Sequence, residues 1–270
     1  MQFKEVINRI KKIKIQGAEN IAIAGVNALS LKNFSYKKII HARPTEPMLR
    51  NALKYAKIYG QEQTIDHIKN DKWEIAKLGS KKIRGIVFTH CHSSTVLEIL
   101  KEAKRQKKKF EVYNTETRPL YQGRKTAKEL SKYGIKVTTI IDSAAGAALK
   151  KDKLLKEADL MLIGCDAIFN NGDVVNKVGT SMFAEICYDH KIPVYIAGNS
   201  WKFTPRPIKI EIRDFREVWK NAPKKVKVED LSFDITENKY VTAIISELGI
   251  LKPKDFVRKV KQVYPWISKK

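Results

Sequence analysis

The spacing of hydrophobic positions changes between residues 75 and 83. Before that point it is helical: Phe3, Val6, Ile7 and Ile10 share a face, as do Leu49, Leu53 and Ala56, and then Ile65, Ile68, Trp73 and Ile75. Between them Ile21 to Leu31 is mostly apolar and small. Thr45-Glu46-Pro47-Met48 reads as a helix start and Tyr59-Gly60 as its end. No strand pattern is evident, so residues 1–75 are expected to form a helical domain. Beyond them, short apolar or β-branched runs alternate with helical patterns. Strands are expected at 83–88, 110–113, 136–141, 158–163 and 194–197, with helices at 96–106, 123–132, 144–149 and 180–190. Such alternation predicts an α/β domain over 76–270 whose parallel sheet is joined by right-handed crossovers. Thr204-Pro205-Arg206-Pro207 leaves the sheet, and the tail is expected to pack back on it.

With 270 residues the chain has ample length for a core, and its 43% apolar content is ordinary. The net charge of +24 suits an acidic partner or a phosphate-rich substrate, and equally a lysine-rich, thermophile-like surface. The lysine runs fall between elements, and no zinc-finger or RNA-binding signature accompanies them. No apolar run is long enough to span a bilayer, and Met1-Gln2-Phe3-Lys4-Glu5 has no signal-peptide pattern. Cys91, Cys165 and Cys187 have neither disulfide-framework nor metal-site spacing. A reducing cytoplasmic setting is therefore expected, with no membrane association and no metal.

Polar residues gather after the expected strands, where open α/β sheets hold ligands. The run Ile86 to Thr95 is a strand passing into a helix start, and Cys91 stands where the strand stops. The N–H groups of Ser93, Ser94 and Thr95 are placed to meet an anion. The helix dipole and nearby cations would lower the thiol's pKa, although a small buried hydrophobe also suits the position. Asp166, in Gly164-Cys165-Asp166-Ala167, completes a candidate acid/base pair or caps a turn. Asn176-Lys177, followed by Gly179-Thr180, suits a phosphate contact or a solvated loop, and it is not a Walker motif. His90 and His92 face opposite sides of an extended chain and cannot chelate together. Cys165 and Cys187 read as core residues.

Four ordered motifs carry a family resemblance: Thr89-His90-Cys91; Thr115-Glu116-Thr117-Arg118-Pro119 with Gln122-Gly123; Gly164-Cys165-Asp166-Ala167-Ile168 with Asn171-Gly172-Asp173; and Asn176-Lys177-Val178-Gly179-Thr180. They resemble the family uniting methylthioribose-1-phosphate isomerase, archaeal ribose-1,5-bisphosphate isomerase and the alpha, beta and delta subunits of translation initiation factor two-B. The resemblance implies a helical N-terminal domain, a Rossmann-like second domain and dimerisation through the latter. It implies Cys91 and Asp166 as the catalytic pair, with Glu116, Arg118, Asn176 and Lys177 in the enzyme form. Arg43 and Lys202 resemble substrate-phosphate contacts. Where the isomerases carry Arg-Gly-Ala, this chain has Gln16-Gly17-Ala18, and it is shorter at its N-terminus. A Gln supplies neither the charge nor the fork of an Arg.

Two functions follow. The first is an aldose–ketose isomerase without cofactor, acting on a sugar 1-phosphate, ribose-1,5-bisphosphate foremost. The second is a non-catalytic subunit-like protein that binds a nucleotide or sugar phosphate and translation initiation factor two. A homodimer is expected in addition, because Met182, Phe183, Ile186 and Tyr188 exceed what one buried helix face needs.

Overall fold

The computed structural model describes residues 2–151, 153–210 and 213–268. Five helices open the chain: α1 (Phe3–Lys11), α2 (Ala18–Asn27), α3 (Tyr36–Ile40), α4 (Pro47–Tyr59) and α5 (Gln61–Ser80). The expected apolar stripe of α1 is inward, with Phe3, Val6 and Ile10 buried against Ile21, Ile39, Leu49 and Leu53. Pro47 starts α4, where its missing N–H has no partner to lose. Gly60, at φ +91°, separates α4 from α5 in a backbone shape that side chains resist. Helix α5 runs through residue 75 and packs on both the sheet's first helix and its later strands. Position 75, the last of the expected helical domain, lies inside this helix. Trp73 is off the buried face, about 140° around the helix from Ile68. It is 58% exposed and carries the Lys77 ammonium 4.9 Å above its ring.

The main sheet contains β1 (Gly85–Thr89), β2 (Phe110–Thr115), β3 (Val137–Ile140), β4 (Leu160–Gly164), β7 (Val194–Ala197), β10 (Ala243–Ser246) and β11 (Gly249–Leu251). Its order is β11-β10-β7-β4-β1-β2-β3, and every pairing is parallel except β10 with β11. The crossovers include α6 (Ser94–Arg105), α7 (Gln122–Lys132), α8 (Ala145–Ala148) and α9 (Thr180–Asp189). Alternate residues of the central strands serve opposite faces. Phe88, Met161, Ile163, Ile196 and Ile244 face one core, while Val87, Leu160, Leu162, Ala197 and Ile245 face the other. Each large side chain buried this way contributes roughly 1.5–3 kcal/mol.

Five of the seven strands fall where the alternation places them. The other two, β10 and β11, come from the tail, which enters the sheet rather than merely covering it. Helix α10 (Pro253–Val263) then packs on β10 and β11 and is followed by α11 (Pro265–Ser268). A second, four-stranded sheet has the order β8-β5-β6-β9: β5 (Ala167–Phe169), β6 (Val174–Lys177), β8 (Phe203–Thr204) and β9 (Phe233–Thr236). The antiparallel hairpin β5–β6 turns through Asn171-Gly172.

Strand order reverses between β1 and β4. The chain winds from β1 toward β3 on one side and from β4 toward β10 on the other, leaving a crevice at the carboxyl ends of the two strands. Cys91 follows β1 and Asp166 follows β4.

Candidate active site

The crevice is a cleft of about 1320 Å³, its open mouth included. Cys91, Asp166, Gln16, Gly17, Arg43, Ser93, Ser94, Asn176, Lys177 and Lys202 all line it. The α1–α2 loop forms one wall and the ends of β1, β4 and β6 form the floor. Gly164 lets the loops after β1 and β4 approach: a Cβ there would lie 2.6 Å from Ser93 Oγ.

Cys91 adopts the left-handed conformation, φ +66°, which L-residues other than Asn and Asp seldom take. Its backbone is gripped at both ends: the N–H donates to Thr117 Oγ1 at 2.9 Å, and the carbonyl accepts from Thr126 Oγ1 at 2.9 Å. Thr117 is itself at φ +63°, and Asp142 accepts the N–H groups of Thr117 and Arg118 at 2.8 and 2.6 Å. A strained conformation held this firmly is typical of a functional position. The thiol differs from expectation. Burial pushes it up to about 11, the Lys177 ammonium pulls it down, and the Asp166 and Asp142 carboxylates push it up. Burial is the largest of these causes and outweighs the pull of the Lys177 ammonium. At neutral pH Cys91 is a thiol.

Lys177 and Lys202 are 5% and 7% exposed, and no carboxylate among the described residues lies within ion-pair distance of either. Lys177 Nζ lies 5.0 Å from the Phe233 ring centroid, and Lys202 Nζ donates to the Cys165 carbonyl. Two buried ammonium groups without a counter-ion are costly unless an anion joins them. Asn176, also buried, donates to Thr180 Oγ1 at 3.0 Å and so ties Lys177 to the start of α9. Helix α2 starts at the cleft with no side-chain cap on Gly17, so its first N–H groups are open to an anion. Gln16 turns back on its own loop, donating to the Ile13 carbonyl at 2.8 Å.

Glu116 and Arg118 are not part of the cleft lining. The carboxylate of Glu116 pairs with Arg124 at 2.6 Å. With its N–H fixed by Asp142, Arg118 points outward to the Tyr121 hydroxyl and the Val218 carbonyl. The lining adds Lys72, Gln122, Lys125, Asn199 and Arg213. Gln122 and Lys125 are one turn apart on α7, a spacing that marks a shared face once the helix start is known. Arg213 and Glu217 pair at i,i+4, a legible signal in Arg213-Asp214-Phe215-Arg216-Glu217. Asn199 follows the end of β7, where an open sheet gathers its ligands, whereas Lys72 carries no local signal, because the tertiary fold alone brings it to the cleft.

His90 is buried under the floor. Its Nδ1 lies 2.5 Å from Thr115 Oγ1 and its Nε2 3.0 Å from the Val178 carbonyl, and burial pulls its pKa down to about 4. His92 turns the other way, toward Thr126 and Glu129, and burial likewise lowers it to about 4. Both rings are neutral at pH 7. Among the described residues no group of three or more His, Cys, Asp or Glu side chains is arranged to hold a metal ion, and no helix is long and apolar enough to cross a membrane.

Residues 48–253 match the initiation factor 2 subunit family. A ribose 1,5-bisphosphate isomerase of Methanocaldococcus jannaschii is 32% identical over 303 aligned positions, covering 98% of this chain and 96% of that one. A putative translation initiation factor eIF-2B subunit 2-like protein of Pyrococcus furiosus is 31% identical, covering 94% and 98%. The crystal structure of a Pyrococcus horikoshii translation initiation factor eIF-2B superposes with a TM-score of 0.82 at 30% identity, covering 94% of this chain and 98% of that one. With the family model matching most of its length, the chain belongs to the initiation factor 2 subunit family, and the proteins it is similar to include both a ribose 1,5-bisphosphate isomerase and a putative translation-factor subunit.

Proposed function

We propose that the protein is a sugar-phosphate aldose–ketose isomerase acting on ribose 1,5-bisphosphate or a related sugar 1-phosphate. The observation that carries this reading is a thiol and a carboxyl in one cleft with two buried lysines that, among the described residues, have no carboxylate within ion-pair distance. Phosphate on the anomeric oxygen blocks spontaneous ring opening. Asp166 gives a proton to the ring oxygen as its bond to C1 breaks. Cys91, as thiolate, takes the proton from C2, and an enol phosphate forms between C1 and C2. The C2 hydroxyl returns its proton to Asp166 while the Cys91 thiol protonates C1. The product is a C2 ketone that keeps its C1 phosphate. Lys177, which favours the thiolate, also holds a phosphate oxygen in this arrangement.

Gln16 leaves the α2 side of the anion site short of charge. Gln16→Arg is expected to tighten a sugar bisphosphate by roughly 1–3 kcal/mol, the range for a charge-assisted hydrogen bond. Titration calorimetry checks this, and unchanged affinity would remove Gln16 from the phosphate site.

The protein is further proposed to be a homodimer. On α9, Phe183 and Cys187 are buried, while Met182 and Tyr188 are 52% and 58% exposed, and Ile235 adds apolar surface on the edge strand β9. A dimer is expected by light scattering at micromolar concentration, and a monomer there would refute it.

A second reading, a binding subunit of the translation machinery, draws on the P. furiosus relative and on the uncharged Gln16. The pure protein, incubated with sugar phosphates and separately with translation initiation factor two, distinguishes the two readings. Ketose formation supports the isomerase. Stable association without any turnover supports the subunit.

A further inference from the structure

Behind the cleft floor, two carboxyl groups from distant elements grip consecutive residues of one turn. Asp71, on α5, accepts the Asn199 Nδ2 at 2.6 Å. Glu247, between β10 and β11, accepts the Ser200 N–H through both oxygens at 3.1 and 3.3 Å. The turn continues as the single 3₁₀ turn Ser200–Lys202, pinned by Asn199 Oδ1 accepting the Trp201 N–H at 2.8 Å. Asn199 and Lys202 line the cleft, whereas Asp71 and Glu247 do not.

Resting on the isomerase reading, we propose that Asp71 and Glu247 are positioning residues for Lys202: by gripping Asn199 and Ser200 they keep the Asn199–Lys202 turn, and with it the cleft's grip on phosphate, in place. An aromatic cluster encloses the pair. Tyr55 of α4 stacks on the His67 ring of α5, and Trp201 and Tyr264 close the other sides. His67 Nε2 lies 3.4 Å from Asp71 Oδ2 and 3.2 Å from the Tyr264 hydroxyl. It is the one basic side chain within ion-pair distance of the pair among the described residues, and burial lowers its pKa, so it offers no charge. The Tyr264 phenol is pushed up by burial and stays neutral. Among the described residues no cation is therefore available to neutralise a doubly ionised pair. Burial and the Glu247 charge push Asp71 up to about 8, and burial raises Glu247 as well. Near neutral pH one proton remains on the pair. As pH rises through about 8 that proton leaves, and a second negative charge appears in a dry pocket behind Lys202. Repulsion then works against the two hydrogen bonds that hold the turn, and the new charge opposes an anion in the cleft.

The isosteres Asp71→Asn and Glu247→Gln keep an oxygen acceptor for Asn199 and Ser200 but remove one ionisation. The test is titration calorimetry of the full chain with inorganic phosphate from pH 6.5 to 9. Comparing each variant with the wild type at each pH cancels phosphate's own titration. Wild-type affinity is expected to fall about tenfold relative to either isostere between pH 7 and 9, the scale of one added charge behind the site in a medium of intermediate dielectric. Asp71→Ala, which removes the acceptor, is expected to weaken binding at every pH, and Asp71→Asn to restore it at pH 7. Two isosteres on separate elements keep the test open if one fails to fold. Identical pH profiles for the wild type and both isosteres, with phosphate bound, would overturn the positioning role alone. No phosphate binding at any pH would overturn the anion site, and the positioning role with it.

Discussion

Replacing Cys91 with Ala is expected to abolish ketose formation, lowering turnover by about 10²–10⁴-fold or more, while leaving the fold intact. The side chain is small and half-buried, and the anchors of its loop are backbone groups held by Thr117 and Thr126. An Ala keeps those hydrogen bonds and the same strained φ. Thermal unfolding should therefore shift little, which separates loss of chemistry from loss of structure. The thiol's height sets a second expectation. With the group at about 11, only about one in ten thousand is ionised at pH 7. Because turnover needs the Cys91 thiolate and the Asp166 proton together, kcat should rise with pH only where Asp166 keeps its proton and level off beyond it. A kcat that falls steadily from pH 7 towards 9 would show that Cys91 is not the base. Phosphate weakening above pH 8 should raise KM.

Lys177→Met is expected to weaken sugar-phosphate binding by about ten- to a hundredfold, the worth of a charge-assisted hydrogen bond in a site without water. The same change should leave the protein as stable as before or more so. Lys177 is buried with no carboxylate partner among the described residues, and its cation–π contact with Phe233 is worth only about 0.5–2 kcal/mol against the desolvation of an ammonium. Met has a similar length and no charge to desolvate. Calorimetry and thermal unfolding on one sample check both halves. Retained affinity would place the phosphate elsewhere, and a large fall in stability would mean that Lys177 is a structural cation.

What the sequence disclosed follows the physics of each element. The strands β1, β2, β3, β4 and β7 are apolar or β-branched and are followed by helices, so periodicity finds them. The strands β5, β6, β8 and β9 span two to four residues, too short for alternation to register. The tail strands β10 and β11 lie among loops that hide the pattern of Ala243 to Ser246. Helix α5 runs on to Ser80 and packs on helices before it and strands after it, so its periodicity carries no terminator near position 75. In the cleft, the residues at strand ends were legible, since an open sheet gathers ligands there. Glu116 and Arg118 share that placement, but Asp142 turns their loop outward, a contact between strands that local sequence does not reveal. The Cys91 thiol was misjudged for a similar reason. Helix dipoles can be read from sequence, whereas the loss of water around a side chain depends on every wall of the cleft. Asp71 and Glu247, separated by 176 positions, meet only in the folded chain.

The measurement that bears most directly on the central claim is carbon-13 NMR of ribose 1,5-bisphosphate incubated with the pure protein. The isomerase reading predicts a new ketone carbon at C2 with the wild type, and none with Asp166→Asn or Cys91→Ala under the same conditions. A wild-type sample that forms no ketone from ribose 1,5-bisphosphate or from any other sugar 1-phosphate would contradict it.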